Sequence, residues 1–140
     1  MLTVYSDDHR YQDGKAELMD GELKPCFEMP RRADIVRARV DEVGLGAVIP
    51  PEDFGPEPLH AVHDPAYLRF LETAWDQWTE IGREHDALPL NWPIRSMRNR
   101  EPEAIDGKLS YFSFDAGTPI TPGTWRAIRS SANVALTGAR

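Results

Sequence analysis

Leu2-Thr3-Val4-Tyr5 is a short apolar run of strand-forming residues that ends in Ser6-Asp7-Asp8, the pattern of a strand feeding a loop. From Arg10 to Pro30, Gly14, Gly21, Pro25 and scattered charges interrupt any period, which predicts a long loop. Ala33, Val36, Val40 and Val43 then recur at helical spacing between Pro30 and Gly44, which predicts a helix over 31–43. Ala47-Val48-Ile49 before Pro50-Pro51 reads as a brief strand, and Pro58 to Val62 as a short helical turn. Asp64-Pro65 opens the longest predicted helix, because the Asp side chain can cap free N–H groups and proline at the first position needs no donor. Tyr67, Phe70, Leu71, Ala74, Trp75, Trp78 and Ile81 share one face of it, with Arg69, Glu72, Asp76 and Glu80 mainly opposite, so the stripe reads as core. Residues 85–121 are broken by Pro89, Pro93, Pro102, Gly107, Gly117, Pro119 and a basic patch from Arg95 to Arg100, and read as a second long loop. Within it, Leu109 to Phe114 suits a short strand or a hydrophobic contact segment. Trp125, Ile128, Ala132, Ala135 and Leu136 predict a last helix, whose small face of Ala127, Ser131, Ala132 and Ala135 would pack closely on a sheet.

This order of elements predicts an α/β fold, with long loops at the carboxyl side of the strands where such folds place their sites. A chain of 140 residues allows one domain at most, and 41% hydrophobic residues with four Trp suffice for an interior. The net charge of −7 argues against a nucleic-acid or anionic-membrane partner, since both require a basic surface. A single cysteine, Cys26, forbids an intrachain disulfide and a Cys-rich metal site. Nothing resembles a secretory leader or a membrane span, so the expected location is cytoplasmic.

Direct chemical motifs are scarce. Asp7-Asp8-His9 has the carboxylate-to-histidine spacing of a metal ligand pair, but a catalytic zinc needs three protein ligands and an open position, so a solvated capping turn is the better reading. His60 and His63 would lie about one helical turn apart, which is two imidazoles and not a site; His63 is expected to be partly buried and hydrogen-bonded. There is no recognisable Ser, Cys or Thr nucleophile motif and no phosphate-binding glycine loop, and Arg95, Arg98 and Arg100 have Trp92 as their aromatic neighbour, which suits a solvated loop.

Val62-His63-Asp64-Pro65-Ala66-Tyr67-Leu68-Arg69-Phe70-Leu71, Asp115-Ala116-Gly117-Thr118-Pro119-Ile120-Thr121-Pro122-Gly123-Thr124-Trp125 and the opening Val4-Tyr5-Ser6-Asp7-Asp8-His9 together resemble the N-terminal part of the arginase/deacetylase-type amidohydrolases, nearest to the acetylpolyamine amidohydrolases. The resemblance runs through nearly all of the chain. It implies the first portion of an open, mainly parallel sheet flanked by helices, with residues 1–140 a part of a single deacetylase domain and the metal-binding part outside this chain. The enzyme so implied is zinc-dependent and releases acetate from acetylated polyamines, and no zinc ligand or catalytic residue is assigned in this chain. The loop over 85–121 would cross a homodimer interface and narrow the entrance. Glu17 and Asp106 match acidic positions of the family and are expected to bind the substrate's distal ammonium; Gly117 departs from relatives with Glu, and Asp115 either substitutes for that acid or is an ordinary exposed loop residue. The alternatives are a general acetyl-lysine or acyl-amine deacetylase of the same superfamily, and a non-catalytic binding or dimerisation module.

Overall fold

Along the chain the elements run β1 (Thr3–Val4), a 3-10 turn (Asp7–Tyr11), β2 (Ala16–Met19), β3 (Glu22–Pro25), α1 (Arg31–Glu42), β4 (Val48–Ile49), α2 (Glu57–Val62), α3 (Pro65–Glu80), α4 (Ile105–Phe112) and α5 (Thr124–Gly138). This computed structural model describes residues 1–94 and 96–140; Arg95, part of the basic patch expected over 95–100, lies outside the described residues. The chain divides into two units, one of residues 1–13, 28–62 and 122–140, the other of residues 14–27 and 63–121.

In the first unit β1 and β4 pair in parallel, Thr3 opposite Val48 and Val4 opposite Ile49, with the N–H groups of Thr3 and Tyr5 donating to Ala47 and Ile49. Helix α5 runs antiparallel to β1: Gly123 meets Tyr11, Arg126 pairs with Asp8 at 2.9 Å, the Ser130 hydroxyl donates to that of Ser6 at 2.7 Å, and Gly138 lies against Val4. The backbone at Gly123 comes so close to Tyr11 that a Cβ would stand 2.5 Å from both the Cβ and the carbonyl oxygen of Tyr11, so glycine is required by space. Ala127 and Ser130 are the buried positions on this helix beyond its first turn, while Ser131 and Ala135, expected on the packing face, are exposed. Helix α1 forms where its valine period predicted it but buries none of its residues.

The second unit holds the apolar core. Asp64 accepts from the Ala66 N–H at 2.7 Å and Pro65 occupies the first turn, so α3 starts where its capping chemistry dictates. Phe70, Ala74 and Trp78 of its predicted stripe are buried with Ala87, Ile105, Leu109 and Ile120, and Tyr67, Leu71, Trp75 and Phe112 close the margin. Each large apolar side chain so covered contributes on the order of 1.5–3 kcal/mol. Ile81, the last residue of the stripe, is past the end of the helix and exposed, and His63, expected to be partly buried, is exposed beside the ring of Tyr67.

Two segments expected as loops contain regular structure. Within 10–30, β2 and β3 form an antiparallel hairpin closed by Asp20-Gly21, both at positive φ, the turn that Asp-Gly favours because its twist matches that of the strands. Within 85–121, the segment Leu109 to Phe114, expected as a short strand or a contact segment, is helical through Phe112: Ile105 and Leu109 are buried four residues apart, a helical and not an alternating period. Gly107 fits inside α4 because a Cβ there would stand 2.5 Å from the Pro102 side chain. Among the described residues no helix is long and apolar enough to cross a membrane.

Candidate functional site

The hairpin positions Glu17. On β2 it is opposite Lys24, and its side chain is turned inward, leaving only 7% of the residue exposed. A carboxylate buried to this degree needs compensation. Its Oε1 accepts from the Phe27 N–H at 3.3 Å, and Oε2 lies 3.6 Å from where a Cβ on Gly117 would stand. The next residue, Leu18, donates its N–H to the Ala116 carbonyl at 3.1 Å and so ties the hairpin to the 115–117 turn. In that turn the Gly117 N–H donates to Asp115 Oδ1 at 2.8 Å, and the same oxygen lies 3.5 Å from the position of a Gly117 Cβ. Glu17 and Asp115 therefore flank the space a side chain at 117 would fill, one buried and one exposed.

Asp106 has a different setting. It stands in the first turn of α4, where negative charge is favoured, and its two carboxylate oxygens take both terminal nitrogens of Arg83, the second at 3.2 Å. The Arg83 guanidinium in turn lies over the Trp78 ring, 4.1 Å from its centre. Of the three acids expected from sequence, Glu17 and Asp115 are brought together and Asp106 has an internal cation as its partner.

The first unit carries a separate polar group. His9 Nδ1 lies 2.9 Å from the Ser6 carbonyl, and its Nε2 is 3.3 Å from Asp34 Oδ1 without hydrogen-bond geometry. Arg10 donates to the same Asp34 oxygen at 3.0 Å, and that hydrogen bond holds the Asp34 carboxyl below its usual range. The Tyr5 hydroxyl is pushed up, first by burial and then by Asp7. Asp7-Asp8-His9, expected as a solvated capping turn, is a 3-10 turn whose cap is the preceding Ser6, accepting from the Asp8 N–H at 3.2 Å, and His9 is half-buried and not solvated. The wider network with Tyr5, Arg10 and Asp34 gave no sequence signal, because Asp34 is distant in the chain.

Among the described residues no three His, Cys, Asp or Glu side chains converge as a metal ion would require. These residues do not fit a zinc centre, and no chemical step through zinc is derived from them.

A parallel β1–β4 pair flanked by a helix antiparallel to β1, with a separate antiparallel hairpin, is an α/β arrangement that matches the arginase/deacetylase fold. It superposes with a TM-score of 0.86 and 30% identity on the crystal structure of acetylpolyamine aminohydrolase from Burkholderia pseudomallei, over 99% of this chain and 40% of that one. The chain is homologous along its length to the N-terminal part of the acetylpolyamine amidohydrolases: it is 59% identical over 138 residues to acetylpolyamine amidohydrolase 2 of Pseudomonas aeruginosa, covering 99% of this chain and 40% of that protein. It is also 42% identical over 139 residues to the acetylpolyamine amidohydrolase of Mycoplana ramosa, covering 99% and 41% respectively. The chain thus spans about 40% of the length of the curated relatives it matches. No family model matches it.

Proposed function

We propose that this chain supplies the amine-recognising portion of a zinc-dependent amidohydrolase that hydrolyses acetylated polyamines to acetate and the free polyamine. The observation that carries the reading is the Glu17–Asp115 pair around Gly117. An acetylated polyamine keeps at least one ammonium at a distance from its amide, and a partly desolvated carboxylate is the group that selects such a charge over a neutral chain. Glu17 is held in place by the Phe27 N–H before any ligand arrives, so little ordering is needed on binding. Asp106 is proposed as an outer acid, because an ammonium would have to compete with Arg83 for its carboxylate.

The same reading includes a homodimer formed through residues 85–121 and a cytoplasmic location. Leu90, Trp92, Ile94, Met97 and Phe114 are exposed in or beside this segment, Leu90 at 82% and Phe114 at 80%, which is more apolar surface than a free loop ordinarily carries. That surface also suits the second reading, a dimerisation module without catalysis.

A chimera separates the two. This chain would replace the 138 matched residues of the Pseudomonas aeruginosa relative, and the product would be assayed on acetylputrescine and on a fluorogenic acetyl-lysine substrate. Preference for the acetylated diamine is expected. A folded, dimeric chimera without turnover of either substrate would leave the binding module, and equal turnover would leave the general deacetylase.

A further inference from the structure

Glu17 and the 115–117 turn belong to segments far apart in the chain, yet both lie in the second unit, where hydrogen bonds fasten hairpin to loop on either side of the pair. On one side is the bond already described, from the Leu18 N–H to the Ala116 carbonyl. On the other, the Lys15 N–H donates to Asp86 Oδ2 at 2.6 Å. The next residue, Ala87, exchanges both backbone hydrogen bonds with Ile120, at 3.0 and 2.9 Å. A short path therefore leads from Asp86 to each half of the acid pair, through Lys15 to Glu17 and through Ile120 back to Gly117 and Asp115.

The main chain around Asp86 is itself held. Before it, the carbonyl of His85 takes the indole N–H of the buried Trp78 at 2.7 Å, and after it Ala87 and Pro89 are buried. Gly14, the residue before Lys15, is buried against Pro119, the residue before Ile120, so closely that a Cβ would stand 2.5 Å from Pro119 Cγ. The Asp86 carboxylate is half-buried, and its bond to the Lys15 N–H has the short length of a charge-assisted contact. An acid with a fixed main chain on one side and a main-chain donor on the other is a bracket between core and hairpin.

We infer that Asp86 is a positioning residue for ammonium recognition: its carboxylate fixes the start of β2 against the Ala87–Ile120 bridge and so sets the gap between Glu17 and Asp115 across Gly117. The inference rests on the amine-binding reading of that pair. Asp86 acts through Lys15, two positions ahead of Glu17, and does not itself meet the substrate. Hydrogen bonds to an ammonium are made over a narrow range of distance, so a displaced hairpin weakens them, while a substrate without an ammonium is indifferent to the gap.

Two substitutions in the chimera separate geometry from charge. Asp86→Asn keeps an acceptor at the same reach, its amide oxygen taking the place of Oδ2, and drops the charge; Asp86→Glu keeps the charge and moves the acceptor by a methylene. Asp86→Asn should retain the preference for acetylputrescine over a neutral acetyl-amide of equal length. Asp86→Glu should raise KM for acetylputrescine about 2- to 12-fold, the effect of one hydrogen bond, with kcat and the neutral substrate little changed. Exchange of the Lys15 amide should quicken in Asp86→Glu and not in Asp86→Asn, a measurement that needs no turnover. A loss in Asp86→Asn equal to or greater than that in Asp86→Glu would make the carboxylate a direct attractor of the ammonium and overturn the inference. So would equal losses on both substrates, or Lys15 exchange and KM that Asp86→Glu leaves unchanged. Glu17→Gln in the same assay tells the two failures apart: if it lowers the preference and Asp86→Glu does not, the positioning role fails alone, and if it leaves the preference intact, the amine-binding reading fails and takes the positioning role with it.

Discussion

Trp78 donates its indole N–H to the His85 carbonyl at 2.7 Å while Arg83 covers the face of the same ring, so one side chain joins the end of α3 to the segment that follows it. Trp78 is 4% exposed and belongs to the core, whereas Trp75, on the same predicted stripe, is only partly covered. Trp78→Ala should cost about 3–5 kcal/mol and Trp75→Ala distinctly less. Trp78→Phe keeps most of the packing but leaves the His85 carbonyl without this donor, for about 1–3 kcal/mol. Urea unfolding curves with equal slopes would rank the three, and equal midpoints for the two alanine variants would contradict the burial argument.

Gly14 and Gly123 should resist any side chain, for steric reasons that do not involve φ. A Cβ on Gly14 would meet Pro119 Cγ at 2.5 Å and Cys26 Sγ at 3.0 Å, and one on Gly123 would meet the Tyr11 backbone. Alanine at either site is expected to cost about 1–3 kcal/mol, more at Gly123, where the neighbour is main chain. Gly117 is the control: the nearest atoms to its Cβ are at 3.5 and 3.6 Å, so Gly117→Ala should change the melting temperature little.

Much of this was legible where one residue's chemistry sets the local structure. Asp64-Pro65 fixes the start of α3 by a cap and a missing donor, and the 3.6-residue stripe then selects Phe70, Ala74 and Trp78 for the core. The hairpin was legible too, in Asp20-Gly21, but the charges and prolines around it obscured the signal. Helix α4 was obscured by Gly107, which ordinarily weakens a helix and is needed for the approach of Pro102. Glu17 could be chosen as an acid matching a family pattern, and Asp115 only as a neighbour of Gly117 that either substitutes for an acid there or is an ordinary loop residue. Their meeting at Gly117 depends on the Leu18 to Ala116 hydrogen bond, which no local sequence rule encodes.

Acid should act on the first unit through Asp34. Its carboxyl is depressed chiefly by the hydrogen bond from Arg10, so its ionised form favours the folded chain. That contribution is present above the ordinary Asp value near 3.8 and is lost as pH falls through the lower folded value. Because the pair is exposed, the effect should be small and salt-sensitive. The difference in melting temperature between the native chain and Asp34→Asn is expected to shrink as pH is lowered from about 5 toward 2. A difference that grows on acidification has the wrong sign for this ion pair.

Charge selection is the sharpest test of the carboxylate pair. In the chimera, Glu17→Gln keeps the acceptor for the Phe27 N–H, provided the amide oxygen takes the place of Oε1, and removes only the negative charge. A charge-assisted hydrogen bond to a substrate ammonium contributes about 1–3 kcal/mol, so kcat/KM for acetylputrescine should fall by about 5- to 150-fold. An acetyl-amide of equal length with no ammonium should lose little, because it never had the ionic partner. Asp115→Asn should act in the same direction with a smaller effect, since its carboxylate is exposed and already accepts from the Gly117 N–H. Asp106→Asn, which breaks the pair with Arg83, should move stability by about 0.2–1 kcal/mol and leave selectivity nearly intact. Selectivity that follows Asp106 and ignores Glu17 would transfer ammonium recognition from the hairpin to α4 and require Arg83 to release its carboxylate when substrate binds.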